Sequence, residues 1–210
     1  RRLGAEPMIC VNMASGTPEE AGSWVEYCNG TGNSHYAALR RAHGYPEPFN
    51  VKYWCIGNEC YAEPDIGIQN DVQVYIRDAR EFIKFMKLND PAIKTVLVGC
   101  DDMAWNRAVL DALHPMADYL SYHHYSAEAG RGLYGLLAEY PETVTDFSPW
   151  YRFPPRSGRL RLALDEWNIW NSNSSETYGL DAVYTWRDAV WVASALNDIL
   201  ACEAVEIANM

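Results

Sequence analysis

The stretch Val51 to Tyr61, VKYWCIGNECY, decides the fold. It opens as a short run of apolar and aromatic residues with little alternation, the pattern of a strand buried on both faces. It then breaks at once into Gly57, Asn58 and Glu59. The stretch Arg161 to Asn171, RLALDEWNIWN, has the same form, with an apolar run leading into Asp165, Glu166 and Trp167. Two strands that each end in a glutamate suggest a pair of acids, which raises the question of whether that pair does chemistry.

Working outward, further strand-like runs fall at Met8 to Asn12, Thr95 to Gly99, Tyr119 to His123 and Ala204 to Ala208, beside Val51 to Gly57 and Leu160 to Leu164. Helical segments separate them. Thr17-Pro18-Glu19-Glu20 offers an N-cap, a first-turn proline and a capping-box glutamate ahead of AGSWVEYC. Ser34 is placed to cap HYAALRRAH, which Gly44 ends, and Asp71 to cap a long amphipathic segment through Lys87. Residues 103–113 and 181–200 read as two more helices, and Ser126 to Ser157, with four prolines, reads mostly as loop.

Strand and helix in alternation require right-handed crossovers and a parallel sheet, either doubly wound or closed into a barrel. No Gly-x-Gly-x-x-Gly follows any strand, which removes support for a nucleotide-binding sheet. Polar residues instead follow several different strands: Asn12, Asn58 with Glu59, Asp101 with Asp102, His123 with Tyr125, and Asp165 with Glu166. Chemistry gathered from many strand ends is the habit of the (β/α)₈ barrel. Six strands in 210 residues, against about 250 for a complete barrel, predict an α/β fold that is a partial (β/α)₈ barrel lacking roughly two strands. The opening RRLGAEPM reads as the last turn of a helix closed by Gly4, and VEIANM as a strand just finishing, so a piece of a longer catalytic domain is expected.

Composition narrows the partners. With 49% hydrophobic residues the chain can bury one core, and its formal net charge of −11 repels nucleic acid and anionic lipid. No apolar run reaches the roughly 20 residues that span a bilayer. A homo-oligomer is compatible with the sequence, which does not specify one. The cysteines lack metal spacing; Cys10, Cys55, Cys60 and Cys100 lie in or just after strands, as reduced thiols packed like small hydrophobes do in a cytoplasmic protein. Secretion is the alternative, since Asn29-Gly30-Thr31 and Asn173-Ser174-Ser175 match the glycosylation pattern.

Glu59 and Glu166 are three strands apart, and in a closed barrel such strand ends face each other across the mouth. Paired carboxyls are what glycoside hydrolysis uses: one protonates the leaving oxygen while the other attacks the anomeric carbon or activates water. Either acid alone also fits a helix start or a loop. Trp54, Tyr61, Trp167 and Trp170 flank them, and aromatic faces stack on the C–H faces of sugars as well as on core neighbours. SYHHY, Ser121 to Tyr125, sets His123 and Tyr125 on one side of a strand and His124 on the other. A metal would want a further ligand set, and no His-x-x-x-His or His-Glu-x-x-His occurs. His35, His43 and His114 sit on helices as ordinary histidines, and no Gly-x-Ser-x-Gly elbow supports a serine hydrolase.

The segments EPMICVN, GTPEEAGSWVEYCNG, PEPFNVKYWCIGNE, LSYHHY and LALDEWNIW, in this order, resemble landmarks of the α-L-arabinofuranosidases of glycoside hydrolase family fifty-one, retaining enzymes on (β/α)₈ barrels. The resemblance covers nearly the whole chain. It implies that Glu59 is the acid/base, that Glu166 is the nucleophile, and that Asn58 contacts the sugar 2-hydroxyl. It further implies that His123 and Tyr125 line the substrate site and that no metal or organic cofactor is required; Trp167, flanking Glu166, is the candidate ring for stacking on the sugar. The substrate would be an arabinofuranosyl oligosaccharide or polysaccharide. The family's first two barrel strands and its C-terminal β-sandwich are not matched, and Cys60 stands where an aliphatic residue is expected. Two other readings remain: an endo-acting β-glucanase or xylanase of the same clan, and an inactive carbohydrate-binding barrel fragment. An unclosed barrel would hold the acids too loosely for turnover, so the 210-residue chain alone is expected to be inactive.

Overall fold

The computed structural model describes residues 4–62, 71–127, 161–170, 183–202 and 204–209. The described elements are β1 (Met8–Cys10), α1 (Pro18–Asn29), α2 (His35–Ala42), β2 (Tyr53–Ile56), α3 (Val72–Asn89), β3 (Lys94–Leu97), α4 (Met103–Leu113), a 3₁₀ turn at His114–Met116, β4 (Tyr119–Ala127), β5 (Arg161–Trp170), α5 (Trp186–Ala201) and β6 (Val205–Ala208). They divide into two compact units, one of residues 4–121 and one holding 122–127, 161–170, 183–202 and 204–209.

In the first unit β1, β2, β3 and the start of β4 are neighbours in sequence order, all parallel, with Ile9 opposite Trp54, Cys55 opposite Val96 and Leu97 opposite Leu120. The helices start where their caps dictate. Thr17 and Glu20 form the expected capping box, and Asp71 and Asp102 accept from the backbone N–H groups of Gln73 and Ala104. Ser34 occupies the N-cap position of α2 without a side-chain cap bond, while Gly44, at φ +90°, makes the turn after it. Helix α1 packs closely on α3 because Gly22 has no side chain: a Cβ there would stand 3.0 Å from Phe85 O. Trp54, fully buried, points to this helical layer and meets Trp24 edge-on at 5.9 Å.

Two polar side chains stitch the layer together. Asn29 donates to Val51 O and to Asp90 Oδ2 and accepts from Val51 N, so its amide ties α1 to the start of β2 and the end of α3. That commitment is a structural use for one of the two glycosylation triplets; the other lies outside the described residues. Arg40, 0% exposed, donates to the carbonyls of Tyr27, Gly30, Tyr45 and Pro46 and so fixes the loop leading into β2.

Tyr75 of α3 does the same for the strand ends. Its buried hydroxyl donates to Ile56 O at 3.0 Å and accepts from Val98 N at 2.8 Å, joining the carboxyl ends of β2 and β3 just before Gly57. Removing the hydroxyl leaves a buried N–H and a buried C=O each short of a partner. Tyr75→Phe is therefore expected to destabilise the protein by about 1–3 kcal/mol, read as a lower urea midpoint at unchanged slope. An unchanged midpoint would show that the two strand ends are held by other contacts.

In the second unit the rest of β4, β5 and β6 are neighbours; β5 and β6 are parallel, with a register irregularity between Leu162 and Ala163. Two strands run longer than the sequence suggests. β4 continues past His123 to Ala127, and β5 continues past Leu164 to Trp170, so Asp165, Glu166 and Trp167 are strand residues rather than residues after a strand. Ser126 therefore belongs to β4 and not to a loop, while residues 128–157 of the expected loop lie outside the described residues. Helix α5 starts at Trp186, since Thr185 and Asp188 make a capping box that redirects the chain there.

The six cysteines are free thiols. Burial pushes those of Cys28, Cys60 and Cys100 up to about 11, which keeps them neutral and suits them to packing. Cys55 is also buried; Cys10 is exposed, unlike the expectation for it. Among the described residues no helix is long and apolar enough to cross a membrane.

Candidate active site

Glu59 is set by backbone geometry. After β2 the chain turns through Gly57 at φ +87°, where a Cβ would lie 2.5 Å from Cys60 Sγ and 3.1 Å from Met13 Sδ, so only glycine fits. Glu59 itself adopts φ +44°, a left-handed conformation that is uncommon for a non-glycine residue and is found where function over-determines the backbone. Ala62 N closes the turn on Glu59 O at 2.8 Å. The Tyr61 hydroxyl lies 3.5 Å from Glu59 Oε1, and the Tyr61 ring meets Trp105 edge-on at 6.0 Å. Trp105 in turn packs on Tyr75 and donates its indole N–H to Val98 O. The acid thus sits beside an aromatic wall anchored on α3 and α4. Asn58 is exposed and, with Asn12, Met13 and Cys60, lines a cavity of about 340 Å³.

Not every polar residue after a strand belongs to this site. Asn12 spends its side chain on the backbone of Ala14 and Ser15 and on the Ser15 hydroxyl, and Asp102 is a helix cap. Neither role reads from strand-end position alone.

In the second unit, alternation along β5 sorts the side chains. Glu166 faces β4, where the Tyr125 hydroxyl donates to its Oε2 at 3.0 Å and His123 Nδ1 lies 3.5 Å from the same oxygen. Trp170, four residues on, meets Tyr125 edge-on at 5.7 Å. Trp167 is turned the other way: its indole N–H donates to Asn209 O and its ring packs against the buried Trp191 of α5. Glu166, Tyr125, Trp167 and Asn168, with Val192 and Leu196, line a cavity of about 430 Å³. His124 lies on the opposite side of β4 from His123, stacked with Tyr122 and bonded to the Ser126 hydroxyl. The structure also brings in Asp165, which was not among the expected site residues: its Oδ1 is 3.5 Å from His123 Nε2. Its only signal in the sequence is an acid next to Glu166 after three buried apolar residues.

Parallel strands joined by helices in sequence order define the fold class of the (β/α)-barrels. Comparison with known proteins places the chain within that class. The sequence model described as the Alpha-L-arabinofuranosidase 1 domain matches residues 5–148, and the chain belongs to that family. It is 36% identical to a probable α-L-arabinofuranosidase C from Aspergillus flavus, over 93% of this chain and 43% of that protein. It is 34% identical to an intracellular exo-α-(1→5)-L-arabinofuranosidase from Halalkalibacterium halodurans, over 95% of this chain and 44% of that protein.

The crystal structure of the Thermotoga maritima α-L-arabinofuranosidase arabinose complex superposes with a TM-score of 0.82 at 39% identity, covering 100% of this chain and 44% of that one. The family fifty-one enzyme from Bifidobacterium longum gives a TM-score of 0.83 at 26% identity, covering 98% of this chain and 46% of that one. The fold is accordingly an α/β fold, a partial (β/α)₈ barrel, and the family is the one the five motifs resemble. The chain spans less than half the length of the curated relatives it matches.

Proposed function

We propose that the full-length protein is a retaining glycoside hydrolase that releases terminal α-L-arabinofuranosyl groups from arabinose-containing oligosaccharides or polysaccharides. Glu166 is its nucleophile and Glu59 its acid/base. The observation that carries this reading is the grip on Glu166, a strand carboxylate whose Oε2 is held by the Tyr125 hydroxyl, in a chain that belongs to the arabinofuranosidase family. A carboxylate held this way is aligned for attack on an anomeric carbon. Glu59 stands beside Tyr61, whose ring packs on Trp105, and is assigned the transfer of a proton to the leaving oxygen.

In the first half of the reaction the sugar is transferred to Glu166 while Glu59 protonates the departing oxygen. In the second, Glu59 takes a proton from the water that releases the sugar. Asn58, exposed beside Glu59, is assigned the contact to the 2-hydroxyl, and His123 and Tyr125 the wall beside the nucleophile. Trp167, whose N–H is bound within the fold, would offer substrate its ring alone. The name of the Halalkalibacterium halodurans relative supports exo attack on α-(1→5) linkages inside the cell.

The test compares the full-length protein on an aryl α-L-arabinofuranoside, a linear arabino-oligosaccharide, a soluble β-glucan and a β-xylan. Release of arabinose, with the α-anomer formed first by NMR, is expected. Cleavage of glucan or xylan without arabinose release would establish the endo-acting reading, and binding without turnover of any substrate would establish the non-catalytic one.

A further inference from the structure

The surroundings of Glu166 hold a second acid that the mechanism above leaves unused. Asp165 follows three buried residues of β5 and its side chain is only 11% exposed, so its charge needs a partner within the protein. One such partner is His123 of β4, whose side chain is 7% exposed. Its Nε2 lies 3.5 Å from Asp165 Oδ1 and its Nδ1 lies 3.5 Å from Glu166 Oε2. Neighbouring residues of a strand normally point to opposite faces, yet one imidazole reaches both acids. Each ring nitrogen of His123 thus faces a different carboxylate. Oε2 of Glu166 also receives the Tyr125 hydroxyl at 3.0 Å, so one carboxylate oxygen is engaged from two directions.

We propose that Asp165 and His123 form a positioning pair for the nucleophile: Asp165 fixes the imidazole, and the imidazole with Tyr125 pins Glu166 Oε2 so that Oε1 is the atom presented to the anomeric carbon. The proposal rests on the assignment of Glu166 as nucleophile. In the step served, the bond from Oε1 to the anomeric carbon forms as the bond to the leaving oxygen breaks. The leaving oxygen keeps that electron pair and takes the proton of Glu59. Asp165 touches neither reacting atom and acts only through the ring of His123.

The test uses the full-length protein and an aryl arabinofuranoside, measuring kcat, KM and the pre-steady-state burst for His123→Phe, His123→Gln, Asp165→Asn and the double variant His123→Phe/Asp165→Asn. A displaced carboxylate loses about a hundredfold for an error near 1 Å, so His123→Phe is expected to lose about that factor in kcat and in burst rate, with KM changed by less than about threefold. His123→Gln, which keeps a donor, retains more activity. Asp165→Asn loses about tenfold, the difference between a charge-assisted contact and a neutral one. In the His123→Phe background the same change costs nothing further, because its effect runs through the ring. Added imidazole restores part of the rate to His123→Gly and none to Glu166→Ala.

The pairing is overturned if Asp165→Asn costs as much with phenylalanine at position 123 as with histidine, if the losses lie in KM alone, or if His123→Phe turns over like the parent. Thermal midpoints identify a variant that has merely unfolded, in which case His123→Gln against Asp165→Asn decides. A parent protein that releases no arabinose would sink the functional reading instead. Normal parent turnover, a dead Glu166→Ala and unaffected His123 variants would sink this inference alone.

Discussion

Glu166→Ala, made in the full-length protein, is expected to lower turnover of every arabinofuranoside by a factor on the order of 10⁴ to 10⁶, the scale on which removal of a covalent nucleophile is felt. Alanine at this place on β5 cannot form the glycosyl-enzyme bond, whatever the leaving group. Tyr125 and His123 would remain, facing an empty position, since their contacts to Oε2 come from β4 and do not depend on the strand pairing of β5. The fold should therefore survive, which circular dichroism and a thermal melt would check. Azide added to this variant fills the space of the carboxylate and attacks an activated α-arabinofuranoside directly, so its product should be the β-configured azide. Near-normal hydrolysis by Glu166→Ala would remove Glu166 from the nucleophile role.

The second large effect distinguishes the two acids. Glu59→Ala is expected to cut kcat/KM on natural oligosaccharides by about 10² to 10⁴, the usual contribution of a positioned general acid, while aryl glycosides with good leaving groups lose far less in the glycosylation step. Their deglycosylation slows because no base activates water, so both kcat and KM fall and the covalent intermediate accumulates, visible by mass spectrometry of the intact protein. Azide needs no base. It should restore turnover by attacking that intermediate and give the α-configured azide, the opposite anomer to the Glu166→Ala product. Equal losses on good and poor leaving groups, with no azide product, would show that Glu59 does not transfer the proton. Together the two variants separate a pair of catalytic carboxyls from a pair of structural ones.

Much of the architecture is legible from short-range chemistry. The capping groups Thr17 with Glu20, Asp71 and Asp102 start α1, α3 and α4 where local hydrogen bonding says they should, because a cap is satisfied by backbone N–H groups two or three residues away. Glu59 is marked in the same way. Gly57 supplies the positive φ that lets a buried strand break into a tight turn and turn its carboxylate out of the sheet. Glu166 is marked by the abrupt end of an apolar run, although the strand itself continues through it to Trp170. There, and at β4, the strand runs further than its apolar stretch, because polar residues on one face of a strand look locally like the start of a loop.

The amino-acid sequence by itself thus determined the order of strands and helices and the parallel sheet, and marked Glu59 and Glu166 as candidates, since each rests on a pattern contained within a dozen residues. Only the tertiary structure decided what surrounds those glutamates. That Trp167 turns to Trp191 while Trp170 turns to Tyr125 follows from which face of the sheet α5 covers. That Asn29 is a tie between three elements, and Asn12 a turn former, depends on partners the local pattern does not name. The contact of His123 with both Asp165 and Glu166 joins residues separated by the whole connection between two strands. Sequence periodicity reports which side of an element is apolar; it carries no record of which distant side chain arrives on the other side, and the chemistry of a carboxylate is set by that arrival.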